Sequence, residues 1–259
     1  MSKVLITVPV WNRKKITELS LKQLNKYKGE GNELWVYNDW SSEYDNDWLE
    51  DKCDKVFKLP SSKKVVAKNE TNSNGMGVQH LRWHQFREFS KQSKFDYLYM
   101  TDNDTIHDPD FMDVMIKLHS KYITKSGIKL PVCLYNSVYH SQAQNNKFQN
   151  DEVMLRITAP GVSMYYSKEM VDAIVEELDK QTEDPIYAWD YRAQEWLKRP
   201  WITPKTSYVE HFGASPESMH TPEGMWNRDR AVNPTEYLQD IREDVISYLD
   251  GDIDNINIK

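Results

Sequence analysis

"YLYMTDND", residues 97–104, decides how this chain is read. A run of β-forming, mostly apolar residues ends in two carboxylates one residue apart, Asp102 and Asp104. The run has the character of a buried strand. Two like charges at its end repel each other. The stretch therefore predicts a strand that delivers two acids to a place where a cation, or abundant water, offsets them.

The flanking sequence gives that strand its setting. "KVLITV" (3–8) and "NELWVYND" (32–39) read as strands. Between them "NRKKITELSLKQLNKY" (12–27) carries Ile16, Leu19, Leu24 and Tyr27 at near-helical spacing. "DKVFKL" (54–59) predicts a short strand near an edge, and "VQHLRWHQFREFSK" (78–91) a helix. "DPDFMDVMIKLHSKYI" (108–123) predicts a helix with Asp108 as N-cap and Pro109 in its first turn. "LPVCLYN" (130–136) reads as another strand. Strands alternating with helices imply right-handed crossovers and an α/β, mainly parallel sheet flanked by helices. In such sheets ligands bind beyond the carboxyl ends of the strands, where Asp39, Asp102 and Asp104 all fall.

The second half is less regular. "VMLRIT" and "GVSMYY" read as strands, and "KEMVDAIVEELDK" as a helix. "DPIYAWDYRAQEWLKR" (184–199) reads as a helix capped by Asp184. "TSYVEHFGA" (206–214) reads as a strand running into a loop. "NPTEYLQDIREDVISYLDG" (233–251) reads as a final helix, with Asn233, Pro234 and Glu236 in the cap pattern and Gly251 as its stop. "DIDNINIK" reads as a loose tail.

Composition narrows the function classes. The chain has 259 residues, 28% charged and 39% hydrophobic, the balance of a globular protein. It holds no apolar run long enough for a transmembrane helix, and "MSKVLITVPVW" lacks the form of a signal peptide. Peripheral membrane contact stays open. Cys53 and Cys133 give neither a disulfide framework nor finger spacing, which fits a reducing, cytoplasmic setting. The net charge of −7 disfavours nucleic acid as a partner. Nine Trp and fifteen Tyr supply flat rings suited to sugar or base faces, or to core packing.

Several residues point to chemistry directly. Asp102-Asn103-Asp104 is a D-x-D triplet of hard oxygen ligands, suited to Mn²⁺ or Mg²⁺ with a phosphate-bearing substrate; the other reading is an Asx-rich turn leading to the next helix. Asn74-Gly75-Met76-Gly77 precedes a helix, and glycines there let a phosphate approach backbone N–H groups. Arg82 lies at the edge of the core-facing stripe, where it reaches a nucleotide or simply packs its stem. Asp190 shares a helix face with Ile186, Ala193 and Leu197. A carboxylate there needs a pocket or a partner, and Arg192 and Arg156 are the candidate partners.

The order "VPVWNR" (8–13), "YNDWSS" (37–42), "NGMG" (74–77) and "YLYMTDND" resembles the GT-A fold glycosyltransferases, in particular inverting members with a DxD motif. The resemblance covers roughly residues 3–215. It implies a Rossmann-like nucleotide-sugar-binding half (1–136), an acceptor and catalytic half (137–232) and a C-terminal helix and tail (233–259) of one domain. Asp39 would read the base edge, although Asn38 and Trp40 depart from the family's "DDGS" turn. Thr7, Pro9, Val10 and Arg13 would line the nucleoside. Asn74, Gly75, Arg82, Asp102, Asn103 and Asp104 would hold the donor, with the metal on Asp102, Asp104 and His211. Asp190 would be the general base, where relatives often carry an acid pair and this chain has Trp189-Asp190. Trp189 and Gly161 would border donor and acceptor sugars. His220, Arg228 and Arg230 would lie on a lid over the diphosphate.

The implied activity is metal-dependent transfer of a sugar from a nucleoside-diphosphate sugar, UDP being the commonest, to a hydroxyl of a glycan, lipid-linked or protein-linked acceptor. A nucleotidyltransferase would normally carry a Gly-rich basic loop after its first strand, which "PVWNRKK" lacks. A non-catalytic nucleotide- or sugar-binding module is the third reading.

Overall fold

Uninterrupted apolar runs become central strands because both faces of a parallel sheet are covered. In a computed structural model, which describes residues 2–59, 77–137, 146–186, 188–212, 230–252 and 255–256, the elements follow that logic. Strand β1 (Val4–Val10) leads to α1 (Lys14–Tyr27), β2 (Glu33–Asn38), the short α2 (Asn46–Glu50) and β3 (Lys55–Lys58). Then come α3 (Gly77–Ser90), β4 (Tyr97–Thr101), β5 (Thr105–His107) and α4 (Phe111–Lys121). The second half has β6 (Asn146–Gln149), β7 (Val153–Arg156), β8 (Ser163–Ser167), α5 (Lys168–Asp179), α6 (Trp189–Leu197), β9 (Trp201–Pro204), β10 (Val209–His211) and α7 (Glu236–Asp250).

The main sheet has the order β3-β2-β1-β4-β8, parallel except for β8, which runs antiparallel to β4. This mostly parallel sheet flanked by helices is the α/β architecture expected from the sequence. Trp83, Phe86 and Phe89 of α3 are fully buried in its core. A second sheet, β6-β7-β9, is antiparallel. Among the described residues no helix is long and apolar enough to cross a membrane.

Several expectations need correction. The turn at Asn103 and Asp104 leads first into strand β5 rather than straight to the next helix, and β5 pairs antiparallel with β10 so that His211 faces Thr105. The segment 130–136 makes only isolated bridges, Val132 to Tyr165 and to Ile202, and so stitches the two larger sheets together; Pro131 has no N–H for a ladder. Helix α4 starts later than expected, because the Asp108 carboxylate accepts the Asp110 N–H at 2.9 Å and Asp110 takes the cap position. Helix α6 starts at Trp189 rather than near Asp184. Arg87 holds both Asp184 oxygens at 2.9 and 2.7 Å, and Trp83 donates to Pro185 O at 2.8 Å, which pins that segment outside the helix. Thr235, not Asn233, caps α7, accepting from the Leu238 N–H. Gly251 ends α7 at φ 86, as its position predicts.

Candidate active site

The acids at the end of β4 are not left to repel each other. Arg82 is fully buried, and it donates to Asp102 Oδ1, to Thr101 O at 3.1 Å and to Gln85 Oε1 at 3.0 Å. Arg13 donates to Asp104 Oδ2 and to Phe212 O at 3.0 Å. Each carboxylate thus gives one oxygen to an arginine. One ligand atom from each of Asp102, Asp104 and His211 falls within 4.8 Å of the others. His211 Nε2 is 3.3 Å from Asp104 Oδ1, a buried oxygen that accepts no hydrogen bond. An orphaned buried carboxylate oxygen beside an imidazole and a second carboxylate offers donor chemistry that suits a divalent cation.

The two acids are driven apart electrically. Burial pushes the Asp102 carboxyl up, more than the Arg82 charge brings it down. Burial also acts upward on Asp104, but His211 and Arg13 outweigh it and hold that carboxyl well below the usual range. Asp104 is therefore the firm negative charge of the pair. Strand pairing explains why these groups meet: β5 follows the acids directly, and β10 brings His211 back beside them.

The corner where the sequence resemblance puts the nucleoside is built on left-handed backbone. Asn12 and Arg13 have φ 50 and 62, and the Asn12 side chain accepts from Ser42 N at 2.8 Å. Trp40, standing where the family's turn has glycine, adopts φ 63, the region glycine favours. Its indole N–H donates to Leu59 O at 3.0 Å, turning the ring aside. Asp39 is buried and accepts the Gly77 N–H at 2.9 Å, so this carboxylate sits at the start of α3. Thr7 Oγ1 is buried without a partner. Pro9 is half-buried and Val10 buried. Asn103 turns away from the acids and donates to Thr17 Oγ1 at 2.7 Å. Asn74, Gly75, His220 and Arg228 lie outside the described residues.

Asp190 occupies the first turn of α6 and accepts the Tyr191 N–H at 2.9 Å. Neither suggested partner takes it: Arg192 pairs with Glu195 at 2.7 Å, and Arg156 donates to Asn136 Oδ1 at 2.7 Å. Burial pushes the Asp190 carboxyl up, opposed by backbone N–H groups including that of Gly161, and by the Arg82 charge. Gly161 does allow a close approach, but that of Trp189: a Cβ there would lie 2.6 Å from Trp189 Cζ2. Trp189 is itself buried, with its ring over the Arg82 guanidinium at 5.1 Å. Arg82 therefore links the metal-type acids to the wall beside Asp190. Sequence reasoning missed Gln79, whose Oε1 accepts the Trp189 N–H at 2.9 Å and fixes the start of α6; its position in the first turn of α3 was the signal available.

No family model matches the chain, and no curated protein matches it. Solved structures with a similar course of chain include protein A197 from STIV, with 14% identity, 82% of this chain and 86% of that chain covered, and a TM-score of 0.46. Residues 1–349 of TarS from S. aureus share 14% identity, with 81% and 60% covered and a TM-score of 0.49. A 4-diphosphocytidyl-2C-methyl-D-erythritol synthase from Anaerococcus prevotii shares 11% identity, with 78% and 87% covered and a TM-score of 0.46.

Proposed function

We propose that the chain is a metal-dependent glycosyltransferase that moves a sugar from a nucleoside-diphosphate sugar to an acceptor hydroxyl with inversion. The observation that carries this is the cluster of Asp102, Asp104 and His211 at the carboxyl end of β4, each acid already fixed by its own arginine. A divalent cation, when bound, would neutralise the diphosphate of the leaving nucleotide. Asp102, Asp104 and His211 are the residues that would hold it. Arg13 and Arg82 orient the two carboxylates and keep the site from collapsing by self-repulsion. Asp39 and the β1 end face the nucleoside.

On this reading Asp190 would take the proton from the attacking hydroxyl, a role worth about 10²–10⁴-fold in rate. Burial, with no cation paired to it among the described residues, makes it a stronger base than an exposed aspartate. That unpaired carboxylate favours glycosyl transfer over nucleotidyl transfer, because the oxygen of a sugar or lipid alcohol must lose its proton as it attacks. The test is a screen of UDP-, GDP- and dTDP-sugars with Mn²⁺ or Mg²⁺, reading nucleoside diphosphate release. Release of a nucleoside diphosphate supports the reading. Pyrophosphate release from nucleoside triphosphates, with none from the sugars, would replace it by nucleotidyl transfer.

A further inference from the structure

Behind the acid turn lies a set of polar side chains that the transfer reading does not use. Tyr99 and Thr101 of β4, Thr105 and His107 of β5, and Ser163 of β8 are all 0% exposed. They are joined to one another and to the turn. Thr105 Oγ1 donates to Asp102 O at 2.8 Å, and Thr101 Oγ1 lies 3.0 Å from Thr105 Oγ1. His107 Nε2 lies 3.3 Å from Thr101 Oγ1 and 2.9 Å from Tyr99 Oη, which is 2.8 Å from Ser163 Oγ. The imidazole is held in place: its ring centroid is 4.7 Å from that of Phe111, and the His107 backbone N–H donates to Gln23 Oε1 of α1. Apolar side chains of the same shape could fill this space at little cost. A polar network here therefore points to a task beyond packing.

The hydrogens in this chain run one way. A hydroxyl has one hydrogen to give. Thr105 spends its own on Asp102 O, so Thr101 is the donor between the two threonines. Thr101 is then left only to accept, and the group facing it is His107 Nε2. Burial pushes the imidazole down to about 3, so the ring is neutral and carries a single hydrogen. That hydrogen belongs on Nε2, and Nδ1, buried without a partner, is the nitrogen with none to place. We infer that His107 is a positioning residue for the acid turn: its Nε2–H, relayed through Thr101 and Thr105, fixes the Asp102 carbonyl, while Arg82 fixes the Asp102 carboxylate. Asp102 is held at backbone and side chain alike, and so presents one geometry to Asp104 and His211. The use of that geometry as a metal site rests on the transfer reading above; its fixing by His107 does not.

NMR of the full isotope-labelled chain, free of metal, tests this without turnover. Long-range proton–nitrogen correlation on wild-type protein should place the His107 ring hydrogen on Nε2, the signal being assigned by its loss in His107→Gln. The Asp102 carboxyl carbon, assigned by Asp102→Asn, should shift in Thr105→Val, which keeps the shape of the side chain and removes its hydroxyl. It should return to its wild-type place in Thr105→Ser, which restores the hydroxyl. Mn²⁺ added to the same samples should bind about fivefold more weakly to Thr105→Val than to wild type, the loss expected for one net hydrogen bond. A His107 hydrogen found on Nδ1 overturns the inference, and does so even if Thr105→Val fails to fold. So does an Asp102 signal that stays in place in Thr105→Val, one that Thr105→Ser leaves displaced, or equal Mn²⁺ binding by both proteins where wild type binds it. Wild-type protein that binds no Mn²⁺ yet shows the Asp102 response overturns the transfer reading and leaves the positioning of Asp102 intact.

Discussion

Replacing Arg82 by methionine should unfold the site electrically while leaving its shape. Arg82 is wholly buried and is the partner of Asp102, whose side chain is 27% exposed. Breaking a buried ion pair by removing one member costs about 3–5 kcal/mol, because the other charge is left uncompensated. Water reaches Asp102 in part, which discounts the cost to about 2–3 kcal/mol. Methionine replaces much of the stem volume, but it gives up the bonds to Thr101 O and Gln85 and the contact with the Trp189 ring. At roughly 2–4 °C per kcal/mol for a chain near this size, the midpoint should fall by about 5–10 °C. A divalent cation supplies the missing charge, so Mn²⁺ should stabilise Arg82→Met more than wild type. A tenfold tighter site in the variant adds about 1.4 kcal/mol at saturating metal. Thermal unfolding followed by circular dichroism, with and without Mn²⁺, reads both effects. A deficit below about 2 °C, or a deficit that Mn²⁺ leaves unchanged, would refute the charge-balance reasoning.

Asp190→Asn should cut transfer by about 10²–10⁴-fold and leave nucleotide affinity near wild type, measured by calorimetric titration with UDP. Burial raises the Asp190 carboxyl in the folded chain. Its ionised form therefore costs stability once pH passes from the unfolded value of about 3.9 through the raised folded one, and the asparagine variant should match or exceed wild-type stability at pH 7. The wild-type transfer rate should rise with pH through that same raised value, since the base works only when deprotonated. Gly161→Ala should lower stability by about 1–3 kcal/mol through overpacking against the buried Trp189 ring, with a smaller loss in a Trp189→Phe background, read by urea unfolding. Arg242→Met should cost about 3–5 kcal/mol, because Glu210 is 2% exposed and Arg242 of α7 is its ion-pair partner; a loss under about 1 kcal/mol in the same assay would contradict that pairing.

The main sheet was legible because β1, β2 and β4 are apolar runs long enough to be read without their neighbours, and because their acids fall at carboxyl ends by strand direction alone. Two of the short strands were not. Thr105–His107 and Trp201–Pro204 have three and four residues, too few for a period to show, and they exist because β10 and β7 arrive from far along the chain to pair with them. The caps failed for a related reason. Asp108 and Asp184 have the right residue type before proline, but each carboxylate finds another partner: the N–H of Asp110 and the guanidinium of Arg87. The acid pair and His211 were visible as residue types. Their compensation by Arg82 and Arg13 was not, since no spacing rule connects a helix residue or a loop residue to an acid across a crossover. Asp190 stood out as a charge on an apolar face. That neither Arg156 nor Arg192 reaches it needed coordinates.

Manganese binding tests the central claim most directly. The electron paramagnetic resonance signal of free Mn²⁺ should diminish when wild-type protein and UDP are added together, and should stay at its free level with Asp104→Ala, which lacks the oxygen beside His211. Equal loss of the free signal with wild type and with Asp104→Ala would place the metal elsewhere and contradict the account.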